Sequence, residues 1–223
     1  MFMKSFSTFL FIATLLLSGC TGCENQSVID APVVVNKMEP RIELSDEYAE
    51  GLQESISYYF DLMSEGDFAG YVDMVYPKVF ATDSLKQQTI DMMEGYADQG
   101  FRNVTKDYKV IYASPLIQDS LQKVCRVIVN VKHEIIFGEE FVGDPESFEG
   151  MVRNQFGSDT FTYNALERKY EIDGNIKLYA ITPDEVIDFK YLNDQYTESR
   201  YLGDMLLYNT VFELKKIDSE NGF

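Results

Sequence analysis

His133 is the only histidine in the 223-residue chain, and Glu134 follows it. The first chemistry to weigh is therefore a zinc site of the H-E-x-x-H kind. That site needs two imidazoles one helical turn apart, with the glutamate beside them as base. Position 137 is Phe. The neighbouring residues alternate as a strand does, which sends His133 and Glu134 to opposite faces. No metal site and no cofactor are expected. A Ser-His-Asp triad would have to use the same histidine, without the G-x-S-x-G elbow. A Walker phosphate loop, a G-x-G-x-x-G turn and an acidic calcium loop are also missing from the sequence.

The cysteines carry a clearer signal. Met1 to Ser18 has Lys4 near its start and an apolar run from Phe6 to Leu17, too short to span a bilayer comfortably. The run ends in Leu17-Ser18-Gly19-Cys20. This resembles the lipobox of bacterial lipoproteins. The resemblance implies cleavage after Gly19, lipid attachment at Cys20, export, and anchoring to a membrane of the cell envelope, expected to be the outer membrane. Residues 1–19 would be the signal, 20–40 a flexible tether rich in Asn, Gln, Ser and Asp, and 41–223 one folded domain. Cys125 lies in an apolar alternation and reads as a small buried hydrophobe in preference to a bridge to Cys23.

The formal net charge is −18, with 45% hydrophobic and 14% aromatic residues. Such a chain has ample material for a core, and its surface repels nucleic acid and anionic membrane faces. Nucleic-acid binding is excluded on this ground.

The elements that would position His133 follow from periodicity. Ser45-Asp46-Glu47 opens a helix whose Tyr48, Leu52, Ile56, Tyr59, Phe60 and Met63 recur at spacings of three and four. Gly66 closes it, Asp67 caps a second helix carrying Phe68, Tyr71, Val72 and Val75, and Pro77 ends that one. A third runs from about Asp83 to Gln99, with Leu85, Met92, Met93 and Tyr96 inward. Strands follow. Tyr108–Tyr112 is one. Val124–Phe137 is the longest, half-buried, with His133 on its apolar odd-numbered side. Asp173-Gly174 signals a hairpin, with Gly174 in a left-handed turn. Glu146–Asn154 reads as a short helix and Val186–Asn193 as a strand. The last segment, Arg200 to Ile217, is ambiguous: Leu202, Leu206, Asn209 and Phe212 suggest a helical stripe, and Val211 to Ile217 also reads as strand.

Helices followed by long strands make an α+β chain, with N-terminal helices packed on a curved antiparallel sheet. A helix ending Glu65-Gly66-Asp67-Phe68, then a short helix to Tyr76-Pro77, is similar to the cone-shaped nuclear transport factor two-like superfamily. The similarity spans about Ser45 to Asn193, and the long gap from Phe137 to Leu166 departs from the simplest form. It implies a conical interior, where His133, with Tyr59 or Tyr112 nearby, would contact a small ligand.

No catalytic constellation emerges, so a non-catalytic envelope module binding a ligand or a protein partner is expected ahead of acid–base catalysis around His133 or a structural subunit role. Asp83-Ser84-Leu85 and Asp119-Ser120-Leu121 also resemble a short O-glycosylation signal of some bacterial envelope proteins.

If Cys20 bears the lipid, Cys20→Ala moves the chain from the membrane fraction to the soluble one, because at about 0.8 kcal/mol per methylene several acyl chains hold where none remain to do so. Fractionation with unchanged membrane association would overturn the assignment.

Overall fold

The computed structural model describes residues 40–156, 160–193 and 205–221. The signal, most of the tether, Cys20, Cys23 and residues 200–204 of the last segment lie outside them.

The first helix, α1 (Asp46–Glu65), buries Leu52, Ile56, Tyr59 and Phe60. Gly66 stops it at φ 79°, and its N–H donates to the Met63 carbonyl. Only glycine takes that conformation without cost. The Asp67 carboxylate accepts from the Gly70 N–H and so starts α2 (Phe68–Met74). After a 3₁₀ turn at Pro77–Val79, the Thr82 hydroxyl caps α3 (Asp83–Ala97). The buried residues of α3 are Thr89 and Ile90, while Met93 and Tyr96 pack at the core's edge and Leu85 and Met92 are half-exposed.

Seven strands form one mixed sheet: β1 (Arg41–Ile42), β2 (Phe101–Ala113), β3 (Ile117–Asp119), β4 (Gln122–Phe137), β5 (Phe161–Asn164), β6 (Lys169–Pro183) and β7 (Lys190–Asn193). The order is β1-β2-β4-β6-β5, with β3 also on β4 and β7 also on β6. The pairing is antiparallel except between β1 and β2, so the sheet is not wholly antiparallel as expected. Irregularities in β2 between Thr105 and Asp107, and between Val110 and Tyr112, add to its bend. The result is α+β, a strongly curled half-barrel with helices, consistent with a cone.

The long gap between β4 and β5 holds a 3₁₀ turn at Pro145–Phe148 and α4 (Glu149–Phe156). A last helix, α5 (Tyr208–Asn221), resolves the ambiguous final segment.

Three expectations are corrected. Asp173-Gly174 is not a turn: β6 runs straight through it, Gly174 pairs with Val131, and its φ is not positive. Gly174 is there for space. A Cβ on it would lie 3.3 Å from the Cβ atoms of both Phe156 and Thr160. The real turn joins β5 to β6, where the Asn164 side chain accepts from the Leu166 and Glu167 N–H groups and Arg168 sits at φ 49°. Because β6 is continuous, Tyr170, Ile172, Leu178 and Ala180 do share a face, and all four are buried.

Strand β4 is not half-buried over its first half. Val124 to Val129 are buried on both faces, because α5 covers the even-numbered side. Nor does the α5 stripe fall as expected. Thr210 and Leu214 point in, whereas Asn209 and Phe212 are exposed.

The Gly174 contacts set a test. Gly174→Val places a branched side chain against two Cβ atoms that cannot swing aside, and should destabilise the fold by ~1–3 kcal/mol. Urea unfolding measures this, and a more stable variant would contradict the packing described.

Candidate functional site

The odd face of β4 looks toward α1 and forms the inside of the curl. Starting from Cys125, its side chains run through Val127, Val129 and Val131, all buried, to His133. Cys125 is a free, fully buried thiol, pushed up to about 12 by that burial. It is a core residue and not a nucleophile at neutral pH.

His133 is half-buried. Its Nδ1 lies 3.1 Å from the Thr105 hydroxyl and its Nε2 3.4 Å from Asn103 Oδ1. These partners fit a neutral ring in which Nε2–H donates and Nδ1 accepts. The Phe156 ring stacks on it at 6.4 Å between centroids. The apolar setting lowers the imidazole from 6.5 to about 4, outweighing the opposing charge of Glu134. Glu134 is on the other face, bonded to Lys106 and Lys169. Among the described residues, the ring therefore has a hydroxyl and an amide beside it and no acid to orient it as a base.

Tyr59 belongs to a separate group. Its hydroxyl shares a 2.8 Å hydrogen bond with that of Tyr71, and its ring lies 5.0 Å from that of Tyr191. Burial pushes the Tyr59 hydroxyl up to about 12 and that of Tyr191 higher still, so both stay protonated. Tyr112 is not inside the curl, although it is buried. It pairs with Ile128 on the outer face, and its hydroxyl accepts from the Asn221 side chain in α5. The irregularity between Val110 and Tyr112 is the cause, since one extra residue turns the next side chain to the opposite face. Tyr108, before that bulge, does face inward and meets Phe60.

Among the described residues, the inside of the curl is packed with side chains. Beyond His133 the rings of Phe101, Phe137, Phe141 and Phe148 pack at 4.9–6.1 Å between centroids. Phe137 also meets Tyr170 at 6.1 Å, and α4 adds the buried Val152 and Phe156. The insertion that departs from the simplest cone thus supplies its plug. Among the described residues, no cluster of His, Cys, Asp or Glu is placed to hold a metal ion, and no helix is long and apolar enough to cross a membrane.

Sequence reasoning missed two features on the outer face. Arg126 is 1% exposed, stacks over Tyr179 at 4.6 Å and bonds Asp218 of α5 at 2.9 Å. Asp119 is buried and accepts from the Leu207 N–H, the Thr210 hydroxyl and the Gln122 amide. An arginine inside an apolar strand run was the available signal for the first. The two Ser residues of the tripeptide signals, Ser84 and Ser120, are both exposed.

Comparison of the sequence with protein-family models and with curated proteins finds no match.

A neutral His133 gives stability a pH slope of definite sign. Its folded value near 4 lies below the ordinary 6.5. Below pH 6.5 the unfolded chain therefore takes up a proton that the folded chain refuses. Stability is lost as pH falls from 6.5 toward 4, by on the order of 1–2 kcal/mol for this partly exposed ring. Urea midpoints of His133→Asn should fall less steeply over that range than those of the native chain. Parallel curves would show that the ring charges freely in the fold.

Proposed function

We propose that the chain is an exported lipoprotein, anchored to the outer membrane of a bacterial cell envelope by lipid on Cys20, whose cone-like domain is a non-catalytic interaction module. The observation that carries the interaction role is the packed interior. A cone that serves ligands or catalysis needs open volume with convergent polar groups. Here the inner face of β4 meets α1 on one side and Phe156 of α4 on the other, and His133 sits between a hydroxyl, an amide and a ring.

The lipid anchor rests on Lys4, the apolar run and Leu17-Ser18-Gly19-Cys20. The order of helices before strands and the curled sheet support the similarity to the nuclear transport factor two-like superfamily. Acid–base catalysis at His133 would require a ring that titrates near neutrality, and its apolar setting works against that.

A neutral apolar dye, N-phenyl-1-naphthylamine, tests the packed interior. A Cys20→Ala chain that also carries Leu207→Asp and Phe212→Asp, which remove exposed apolar side chains, should show no saturable uptake. Phe156→Ala should lose stability by roughly 3 kcal/mol without gaining uptake, because the space left by one ring beside His133 is too small for the dye. Saturable uptake by the chain with Phe156 intact would overturn the packed-cone reading and favour a small-ligand role.

A further inference from the structure

The outer end of the sheet carries an unusual concentration of exposed apolar side chains. Leu121, at the tip of the β3–β4 turn, is 83% exposed, and Leu207, just before α5, is 53% exposed. Both line one depression of about 380 Å³, together with Lys78, Ser120, Gln122 and Met205. Tyr208 (80% exposed) and Phe212 (63%) continue the surface one helical turn apart along α5. Single exposed hydrophobics are ordinary, whereas a cluster around a depression marks an interaction surface.

The rotation of α5 is fixed by the core. Asp119 holds the Leu207 N–H and the Thr210 hydroxyl, while Leu214 is fully buried. With Thr210 and Leu214 inward, Tyr208 and Phe212 have only the outside to face. They are displayed by a rigid support.

The rim is acidic at the Leu121 end, where Asp184 donates its N–H to the Leu121 carbonyl and exposed Glu185 follows it. Around Phe212 the charges are mixed, with exposed Glu213 beside exposed Lys215 and Lys216. The cation at the depression, Lys78, is turned to the Met205 carbonyl at 3.0 Å. We infer that this face docks a protein partner that presents a leucine or aromatic side chain flanked by lysine or arginine. The apolar side chain packs on the exposed Leu121, Leu207, Tyr208 and Phe212 beside the depression, and the cations meet Asp184 and Glu185. This rests on, and deepens, the proposed interaction role. A second copy of the chain is disfavoured because each carries −18, and an anionic lipid surface is disfavoured by the same charge and by the rim.

The probe is a fluorescein-labelled peptide alternating Lys-Arg with Leu-Phe, read by anisotropy on the Cys20→Ala chain. Two control peptides replace Lys-Arg by Glu-Glu, or Leu-Phe by Ser-Ser. The basic apolar peptide should bind and both controls should bind far more weakly. Leu207→Asp and Phe212→Asp should each weaken binding about tenfold or more. Tyr58→Asp, at an exposed site on α1, should not. Charge attraction alone predicts the reverse, because each added carboxylate would strengthen the hold on a basic peptide.

Circular dichroism confirms that these surface variants are folded. The proposal is overturned by no binding of the basic apolar peptide, or by Phe212→Asp binding as well as or better than the parent. It is also overturned by a concentration-dependent dimer, or by binding to phosphatidylcholine vesicles, that Phe212→Asp abolishes. Dye uptake by the cone reports on the interior alone, so failure of the interaction reading and failure of this surface register in different assays.

Discussion

Every residue of the fifteen-residue β6 has a backbone partner on β4, and the rest of the structure follows from that ladder. Paired by β6 on one edge and β2 on the other, β4 has no free edge over most of its length. Where α5 lies on it, both faces are covered too. Polar groups there must be met from within the protein. Hence Ser114 exchanges two hydrogen bonds with Arg126: its N–H donates to the Arg126 carbonyl, and its hydroxyl accepts the Arg126 N–H. Hence also the Arg126 guanidinium is held by Tyr179 and Asp218. A buried ion pair of this type adds little net stability over apolar packing. What it adds is register, since only one placement of α5 brings Asp218 over Arg126.

The same logic runs from Asp119 to the molecular surface. Removing a carboxylate from water is costly unless donors surround it. Asp119 collects them from Gln122 and from the start of α5. The requirement fixes the helix about its own axis and leaves Tyr208 and Phe212 outside. An exposed apolar face is thus the geometric consequence of satisfying one buried charge, and loose packing of α5 is not needed to explain it.

How much could be read in advance follows from how local each cause is. The start and stop of α1 and α2 lay in adjacent residues, Asp46-Glu47 and Gly66-Asp67, with apolar residues every three or four positions, and these helices form where expected. The alternation of β4 was legible in its own neighbours. Asp173-Gly174 misled because its turn preference is worth little against the β4 pairing on either side of it and the packing of α4 on its open Cα. Tyr112 went to the wrong side because a bulge has no sequence mark of its own. Phe156 could not be anticipated beside His133, since only the folded insertion carries it there. The α5 stripe failed for a related reason: Asn209 and Phe212 fit a helical period, but Asp119, on a distant strand, decides which period faces in.

The charge and the apolar face are best understood together. Under the proposed lipid anchor, an exposed cluster of Leu121, Leu207, Tyr208 and Phe212 would be a liability, because anchoring raises the local concentration of identical copies. With −18 on each copy, like-charged surfaces repel before these side chains meet, and Asp184 and Glu185 place part of that charge beside Leu121. The repulsion is screened within about 8 Å at physiological ionic strength, so it acts mainly at contact distance. At that distance it separates copies of this chain from a basic counterpart, for which the same field is attractive. Acidic surface and apolar face then act as one device: the charge sets which surfaces approach, and the side chains around the depression set how firmly one that does approach is held.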